Sequence, residues 1–290
     1  MIRFLAKVMI QRLLGALPGG HAVYGLLQRH GTRSIAPNPE AIANKEMLGR
    51  QLIGWLAEAG ADPATLGPHL DIGAGWLPVV PLVLHRHGIT PQTWVDVAPV
   101  MRWPAVAAVA RQLGFDAGDP DLDGWLARHH CRYLAPALPP YPLPEGGFGL
   151  VTCLQVMQHP APDEVAALYR DIARLLRPGG FCVVTITLDD QYALMDPSLS
   201  RFNFLRYDEA TWRRWFANPF TPFNRLGAAD HRAALSGLPF DIVAWKTAGG
   251  GPDELAQLDR IVPAACFAHR PRADLALTGL RFVLRRREGP

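Results

Sequence analysis

Cysteine is scarce in this 290-residue chain, and the four present, Cys131, Cys153, Cys182 and Cys266, form no C-x-x-C pair. A disulfide framework and a zinc ribbon are thereby excluded. Cys153 and Cys182 fall inside apolar, strand-like runs and read as buried free thiols of a reducing cytosol. His129 and His130 beside Cys131 do not make a metal site, because neighbouring strand residues point to opposite faces and no second ligand pair lies at a suitable spacing. Acidic residues are absent before Glu40, whereas Arg3, Lys7, Arg12, Arg29 and Arg33 all precede it, so the rest of the chain holds 24 basic against 26 acidic residues. A net charge of +3 is too small for a protein whose main task is neutralising nucleic-acid phosphates, and no nucleic-acid partner is expected. Long apolar runs are missing as well: residues 76–84 are uncharged but hold Pro78 and Pro81, and a span needs about 18 residues or more. Residues 2–17 mix apolar side chains with Arg3, Lys7, Gln11 and Arg12. That stretch lacks the apolar core and cleavage site of a secretory signal and predicts an amphipathic helix.

What is present is a globular composition, 49% hydrophobic and 19% charged, arranged as alternating short strand-like and longer helical runs, the mark of an α/β protein with a mostly parallel sheet. The pattern predicts helices at 41–58, 79–87, 105–113, 162–176 and 230–236. Strands are expected at 68–72, 93–97, 149–154, 181–188, 240–246 and 279–286. Arg177-Pro178-Gly179-Gly180 stops the long helix, since proline cannot continue it and glycine accepts a left-handed turn. The last two strands lack a clear crossover helix and suggest an antiparallel pair at the sheet edge. Two units are expected: an N-terminal helical cap over 1–48 and a larger domain over 49–290, the latter interrupted at about 189–228 by an aromatic-rich lid.

The central signal is Leu70-Asp71-Ile72-Gly73-Ala74-Gly75-Trp76, in which an acidic residue closes a strand and a G-x-G turn opens a helix. Such glycines let backbone approach a ligand closely, and a helix N-terminus offers free N–H groups. A dinucleotide fingerprint is disfavoured because Pro78 occupies its third glycine position. Asp96 ends the next strand, 21 residues after Gly75, where a carboxylate can accept from both hydroxyls of a ribose.

Here the sequence resembles the class I S-adenosylmethionine-dependent methyltransferases, and the likeness runs on through residues 142–151, similar to the family's lead-in to its fourth strand, and through 175–181, similar to its helix stop before the fifth. The resemblance covers about 66–188. It implies a Rossmann-like, seven-stranded, mostly parallel sheet with an antiparallel terminal strand, helices on both faces, and S-adenosyl-L-methionine as cofactor. It also implies that Asp71, Gly73, Gly75 and Trp76 hold the methionine end, that Asp96 and Val97 meet the ribose, and that Cys153, Leu154 and Gln155 face the transferring methyl. One departure stands out: the family's usual adenine-binding Asp is replaced by the stretch Leu134-Ala135-Pro136-Ala137-Leu138, leaving Asp119, Asp121 or a backbone carbonyl as substitutes. Leu138-Pro139-Pro140-Tyr141 imitates the signature of base-amino methyltransferases but starts with Leu and precedes the strand it should follow, so nucleic-acid methylation is set aside.

A hydroxyl or amine acceptor must lose a proton, and His159, just past the fourth strand, is the first choice of base, with His231 and Tyr192 behind it. Asn224 and Arg225 beside the aromatic lid, and Tyr24 and Gln28 in the cap, are candidate substrate contacts. The expected function is methylation of a small molecule at oxygen or nitrogen, in specialised metabolism and in the cytoplasm, with a homodimer as the candidate assembly. Two alternatives stand beside it. One is a lipid or quinone methyltransferase resting on a membrane through its N-terminal helix; the other is a cofactor-binding protein with different chemistry or a non-catalytic partner role.

Overall fold

A computed structural model of the protein describes residues 38–193, 196–217 and 222–288. The expected basic N-terminal helix, with its membrane and dimer contacts, lies outside these, as do Tyr24 and Gln28. The first described helix, α1 (Pro39–Glu58), starts at a proline behind Asn38, whose side chain accepts from the Glu40 amide at 3.0 Å, the usual satisfaction of a free helix-end donor. It runs unbroken past residue 48, so no structural break marks the boundary expected there.

Five parallel strands, β1 (His69–Ile72), β2 (Gln92–Val95), β3 (Cys131–Leu134), β4 (Phe148–Leu154) and β5 (Leu176–Thr187), alternate with α2 (Val79–Arg86), α3 (Trp103–Gln112), α4 (Leu122–Arg128) and α5 (Pro162–Leu175). After α6 (Glu209–Trp215) and α7 (Ala228–Leu235) come β6 (Phe240–Gly249), α8 (Pro252–Leu258), α9 (Arg272–Leu275) and β7 (Leu277–Arg286). The sheet order is β3-β2-β1-β4-β5-β7-β6, and β7 alone runs antiparallel, between β5 and β6. This is the seven-stranded, mostly parallel α/β sheet expected, with the terminal pair antiparallel.

The local reasons follow the sequence. Strands β1, β2 and β4 are buried on both faces, which parallel sheets demand of their strands. The polar Gln92 is tolerated in β2 because its amide donates to the Pro81 and Ile89 carbonyls and accepts from the Trp94 indole at 2.8–2.9 Å. Helix α5 opens with Pro162, Asp163 and Glu164, and the Glu164 carboxylate accepts from the Ala161 amide at 2.7 Å, favourable at a positive helix end.

Two differences from expectation have physical causes. Helix α4 and strand β3 were missed, because four residues reading Cys-Arg-Tyr-Leu show little alternation on their own; the strand expected as third is therefore β4. The glycine turn before β5 does not precede the strand but sits within it, with Gly179 at φ +75° and a register shift between Phe148 and Leu150 on β4.

The aromatic insertion packs as a core of its own. Tyr192, Phe202, Phe204, Trp212, Phe216 and Phe223 gather with Leu258, Ile261 and Phe267, so the connection between β6 and β7 completes it and the unit extends beyond 189–228. Arg225, expected to meet substrate, sits at its centre. Only 4% exposed, the residue holds its guanidinium 4.9 Å from the Trp212 ring and 5.1 Å from the Phe267 ring, donates to the Tyr207 carbonyl at 2.7 Å and pairs with Glu209. Its role is structural. Replacing Arg225 by Met strands the Tyr207 carbonyl and removes the cation stacked on two rings, and a destabilisation of about 2–3 kcal/mol is expected from urea unfolding followed by tryptophan fluorescence; a change under about 0.5 kcal/mol contradicts this account.

Candidate functional site

At the carboxyl end of β1 the chain turns away through Gly73 and Gly75, at φ +77° and +65°. Both conformations belong to glycine, and a β-carbon on Gly73 would stand 2.3 Å from a methyl of Val156. The turn is pinned to the next strand: Gly73 and Ala74 amides donate to the Val95 carbonyl at 2.9 and 3.1 Å, and the Gly75 amide donates to Asp96 Oδ2 at 2.8 Å. Asp96 Oδ1 accepts from the Ala98 amide at 3.2 Å. Two residues 21 apart are thus brought into one clasp. Helix α2 begins only at Val79, so Trp76, half-buried, lies in the bend before the helix and not in its first turn.

Beneath the turn lies a buried polar chain that the sequence did not reveal. Thr152, the cross-strand neighbour of Asp71, donates its hydroxyl to Asp71 Oδ1 at 2.5 Å, and His69 Nε2 lies 2.7 Å from the same hydroxyl. Since threonine has one proton and gives it to the carboxylate, His69 carries its proton on Nε2 and donates to Thr152. Burial drives the His69 imidazole down to about 3, keeping it neutral. Burial also pushes the Asp71 carboxyl up to about 7, with the charge of Asp96 adding to the rise while Thr152 and the Lys45 ammonium on α1 oppose it. Lys45 is itself lowered by desolvation. The available signal was period two: His69 and Asp71 share a face of β1, and Thr152 faces them from β4.

The end of β4 carries the other expected residues. Cys153 is fully buried in the core below α5, its thiol raised by that burial, so its side chain does not face the site as expected; only its backbone reaches the strand end. Leu154 is half-buried. Gln155, at φ +59°, adopts a conformation costly for a non-glycine residue, which is concentrated at functional positions. Its amide donates to the Thr185 carbonyl at 2.8 Å, and its side-chain oxygen accepts from Thr187 at 2.6 Å and from Gln158 at 3.2 Å. His159 Nδ1 lies 2.8 Å from the Pro222 carbonyl. Asn224 spends its side-chain amide on the Met157 and Pro160 carbonyls at 2.7 and 2.8 Å, strapping this loop in place rather than facing a substrate.

The two reserve bases lie elsewhere. Tyr192 is buried and donates its hydroxyl to the Phe216 carbonyl at 2.5 Å. His231 is fully enclosed, 2.9 Å from the Tyr169 hydroxyl, and lowered by burial to about 4. Val97, by contrast, is 64% exposed just past Asp96; a cavity of about 480 Å³ lies at the ends of β2 and β3, lined by Val95, Tyr133, Leu134 and Tyr141 among others. The two aspartates expected to serve adenine are committed to other work: Asp119 pairs with Arg128, and Asp121 caps α4 by accepting from the Gly124 amide at 2.8 Å. Among the described residues no group of three His, Cys, Asp or Glu side chains is placed to hold a metal ion, and no helix is long and apolar enough to cross a membrane.

Comparison with known proteins agrees with this geometry. Residues 70–184 match a family model described as a methyltransferase domain. No curated protein matches the chain. Among solved structures, a protein described as a sarcosine dimethylglycine methyltransferase from Galdieria sulphuraria is 14% identical, with a TM-score of 0.50 over 83% of this chain and 86% of that one. An S-adenosylmethionine-dependent methyltransferase from Methanosarcina mazei is also 14% identical, with a TM-score of 0.49 over 76% and 92% of the two chains. The geranyl diphosphate C-methyltransferase of Streptomyces coelicolor is 12% identical, with a TM-score of 0.45 over 75% and 71%. Residues 70–184 are thus similar to a methyltransferase domain, and the chain shares the fold of the Galdieria structure.

Proposed function

We propose that the protein methylates a small organic molecule at oxygen or nitrogen, holding S-adenosyl-L-methionine across the ends of β1, β2 and β4. The residues fit that cofactor. The Gly73–Gly75 turn leaves no side chain in its path, Asp71 offers a carboxylate to the methionine ammonium, and the two Asp96 oxygens keep free lone pairs for ribose hydroxyls after accepting one amide each. Trp76, Val97, Leu154 and Gln155 line the approaches. Bound there, the cofactor supplies a methyl group on a sulfonium that needs no further activation, so the protein's task is alignment and exclusion of water.

The observation that carries the assignment of acceptor class is His159. A neutral imidazole facing the Pro222 carbonyl through Nδ1 must place its proton there, which leaves the Nε2 lone pair as a base for a hydroxyl or amine proton. Replacing His159 by Ala is expected to leave cofactor affinity within about twofold and to lower label transfer from methyl-labelled cofactor to hydroxyl- and amine-bearing small molecules by about 10²–10⁴-fold. Undiminished transfer in that variant removes the base assignment.

Asp71 generates a second prediction. A carboxyl raised by burial costs folding free energy progressively as pH rises from about 4 to about 7, and the cost is complete above that. Replacing Asp71 by Asn should therefore stabilise the free protein at pH 8 by about 2–3 kcal/mol. The cofactor ammonium favours the ionised form, so wild-type affinity should fall about tenfold per pH unit below 7, while the Asn variant binds weakly and without that slope. Calorimetric titration from pH 7.5 to 5.5 reads both, and a flat wild-type profile contradicts the pairing.

A further inference from the structure

Strand β1 is enclosed on both faces, so a polar side chain there must find its partners within the sheet. His69 and Asp71 share one face, and the parallel register sets Thr152 of β4 beside Asp71. All three are nearly out of water: His69 and Thr152 are 0% exposed and Asp71 is 4% exposed. A short strand buried in this way gains more from aliphatic side chains, since taking an ion out of water costs more than one hydrogen bond returns. Packing alone gives no reason for three polar groups here.

Their hydrogen bonds run one way. His69 Nε2–H donates to the Thr152 hydroxyl at 2.7 Å, and that hydroxyl donates to Asp71 Oδ1 at 2.5 Å. A hydroxyl that is itself accepting a hydrogen bond is the better donor, so the first link strengthens the second. The chain ends on a carboxylate whose Oδ1 is taken, which leaves Oδ2 for a ligand at the strand end where the glycine turn begins. The other groups around Asp71 do not supply what this chain does. Burial and, behind it, the charge of Asp96 at the end of β2 oppose ionisation, while Lys45 on α1 favours it without forming a salt bridge. Cys153 on β4 is held neutral by its own burial. Thr152 is thus the group in direct contact with the carboxylate that favours the anion.

Resting on the cofactor reading above, we infer that Thr152 and His69 are positioning residues for Asp71: the relay from imidazole N–H to hydroxyl and from hydroxyl to carboxylate holds the carboxylate ionised and fixed in direction for the ammonium of the cofactor's methionine end. Neither residue touches the ligand. Their effect passes through one oxygen of Asp71, so it depends on the ligand's ammonium and on pH, whereas a residue that only packs affects every ligand alike at every pH. The two differ in rank, since Thr152 makes the bond to the carboxylate and His69 fixes which way the hydroxyl points.

The test uses the full chain and two ligands, S-adenosylhomocysteine and its analogue lacking the α-amino group, titrated calorimetrically from about pH 6 to about pH 8.5 against wild type, Thr152→Val, Thr152→Ser and His69→Leu, with thermal melts to check folding. Thr152→Val keeps the side chain's shape and loses its hydroxyl. It should weaken the parent ligand at pH 7 by about 10-fold and move the pH at which affinity breaks upward by about one unit. Thr152→Ser, which restores the hydroxyl, should return the wild-type profile. His69→Leu should act in the same direction by about 3-fold, and it keeps the test open if the valine variant does not fold. The analogue, with no ammonium to offer, should change by less than about twofold in every variant. A Thr152→Val profile that coincides with wild type, or equal losses for both ligands, overturns the inference while leaving the cofactor reading intact. If wild type binds neither ligand, the cofactor reading falls and the inference with it.

Discussion

The site depends on a carboxylate placed where a carboxylate is least comfortable. Asp71 is 4% exposed in the second-to-last position of a strand flanked by parallel neighbours on both sides, and no cation forms a salt bridge with it among the described residues. Its one close donor is the Thr152 hydroxyl, oriented in turn by a neutral histidine. This is a partial solvation shell, enough to fix the carboxylate's direction and too little to satisfy its charge. A buried anion left short of compensation is a standing attraction for a cation of the right shape, and the glycine turn directly above it keeps the approach open. Under the proposed reading, stability surrendered at one residue becomes affinity for the cofactor's ammonium group, the usual exchange at functional sites.

The aromatic unit has the opposite economy. Its buried charge, Arg225, is stacked between rings, paired to Glu209 and bonded to carbonyls. Every strong demand of the guanidinium is met inside the unit, which leaves it little to offer a substrate and explains why two chain segments far apart in sequence stay together beside the sheet. One buried ion is left short of partners; the other is satisfied and holds its unit together.

The parts of this arrangement legible in the sequence were those fixed by local rules. Gly73 and Gly75 announce a turn because only glycine adopts its angles, and Asp96 follows at a spacing set by one helix and one strand. Helix α5 was legible from the Arg177-Pro178-Gly179-Gly180 stop that follows it. What stayed hidden depends on partners distant in the chain. His69 and Thr152 look like ordinary polar exceptions in two apolar strands until the β1–β4 register sets them face to face. Arg225 in a polar loop reads as a surface charge, since nothing nearby in sequence shows the rings that enclose it. Strand β3 was lost because its identity comes from pairing with β2, not from its own four residues.

The same distinction separates the two halves of the site. On the proposed reading, the cofactor half is made mainly of backbone: amides of Gly73, Ala74 and Gly75 held by the neighbouring strand, whose positions hardly depend on distant side chains. The acceptor half so proposed is suspended from afar, with His159 set by a carbonyl 63 residues later in the chain and its loop strapped by Asn224. Changes in the aromatic unit can therefore shift the 222–224 strap, and with it the tautomer and direction of His159, without moving the glycine turn at all. A fold divided in this way can exchange acceptors while keeping its cofactor, because the residues that choose the acceptor are not the ones on which the turn at β1 depends.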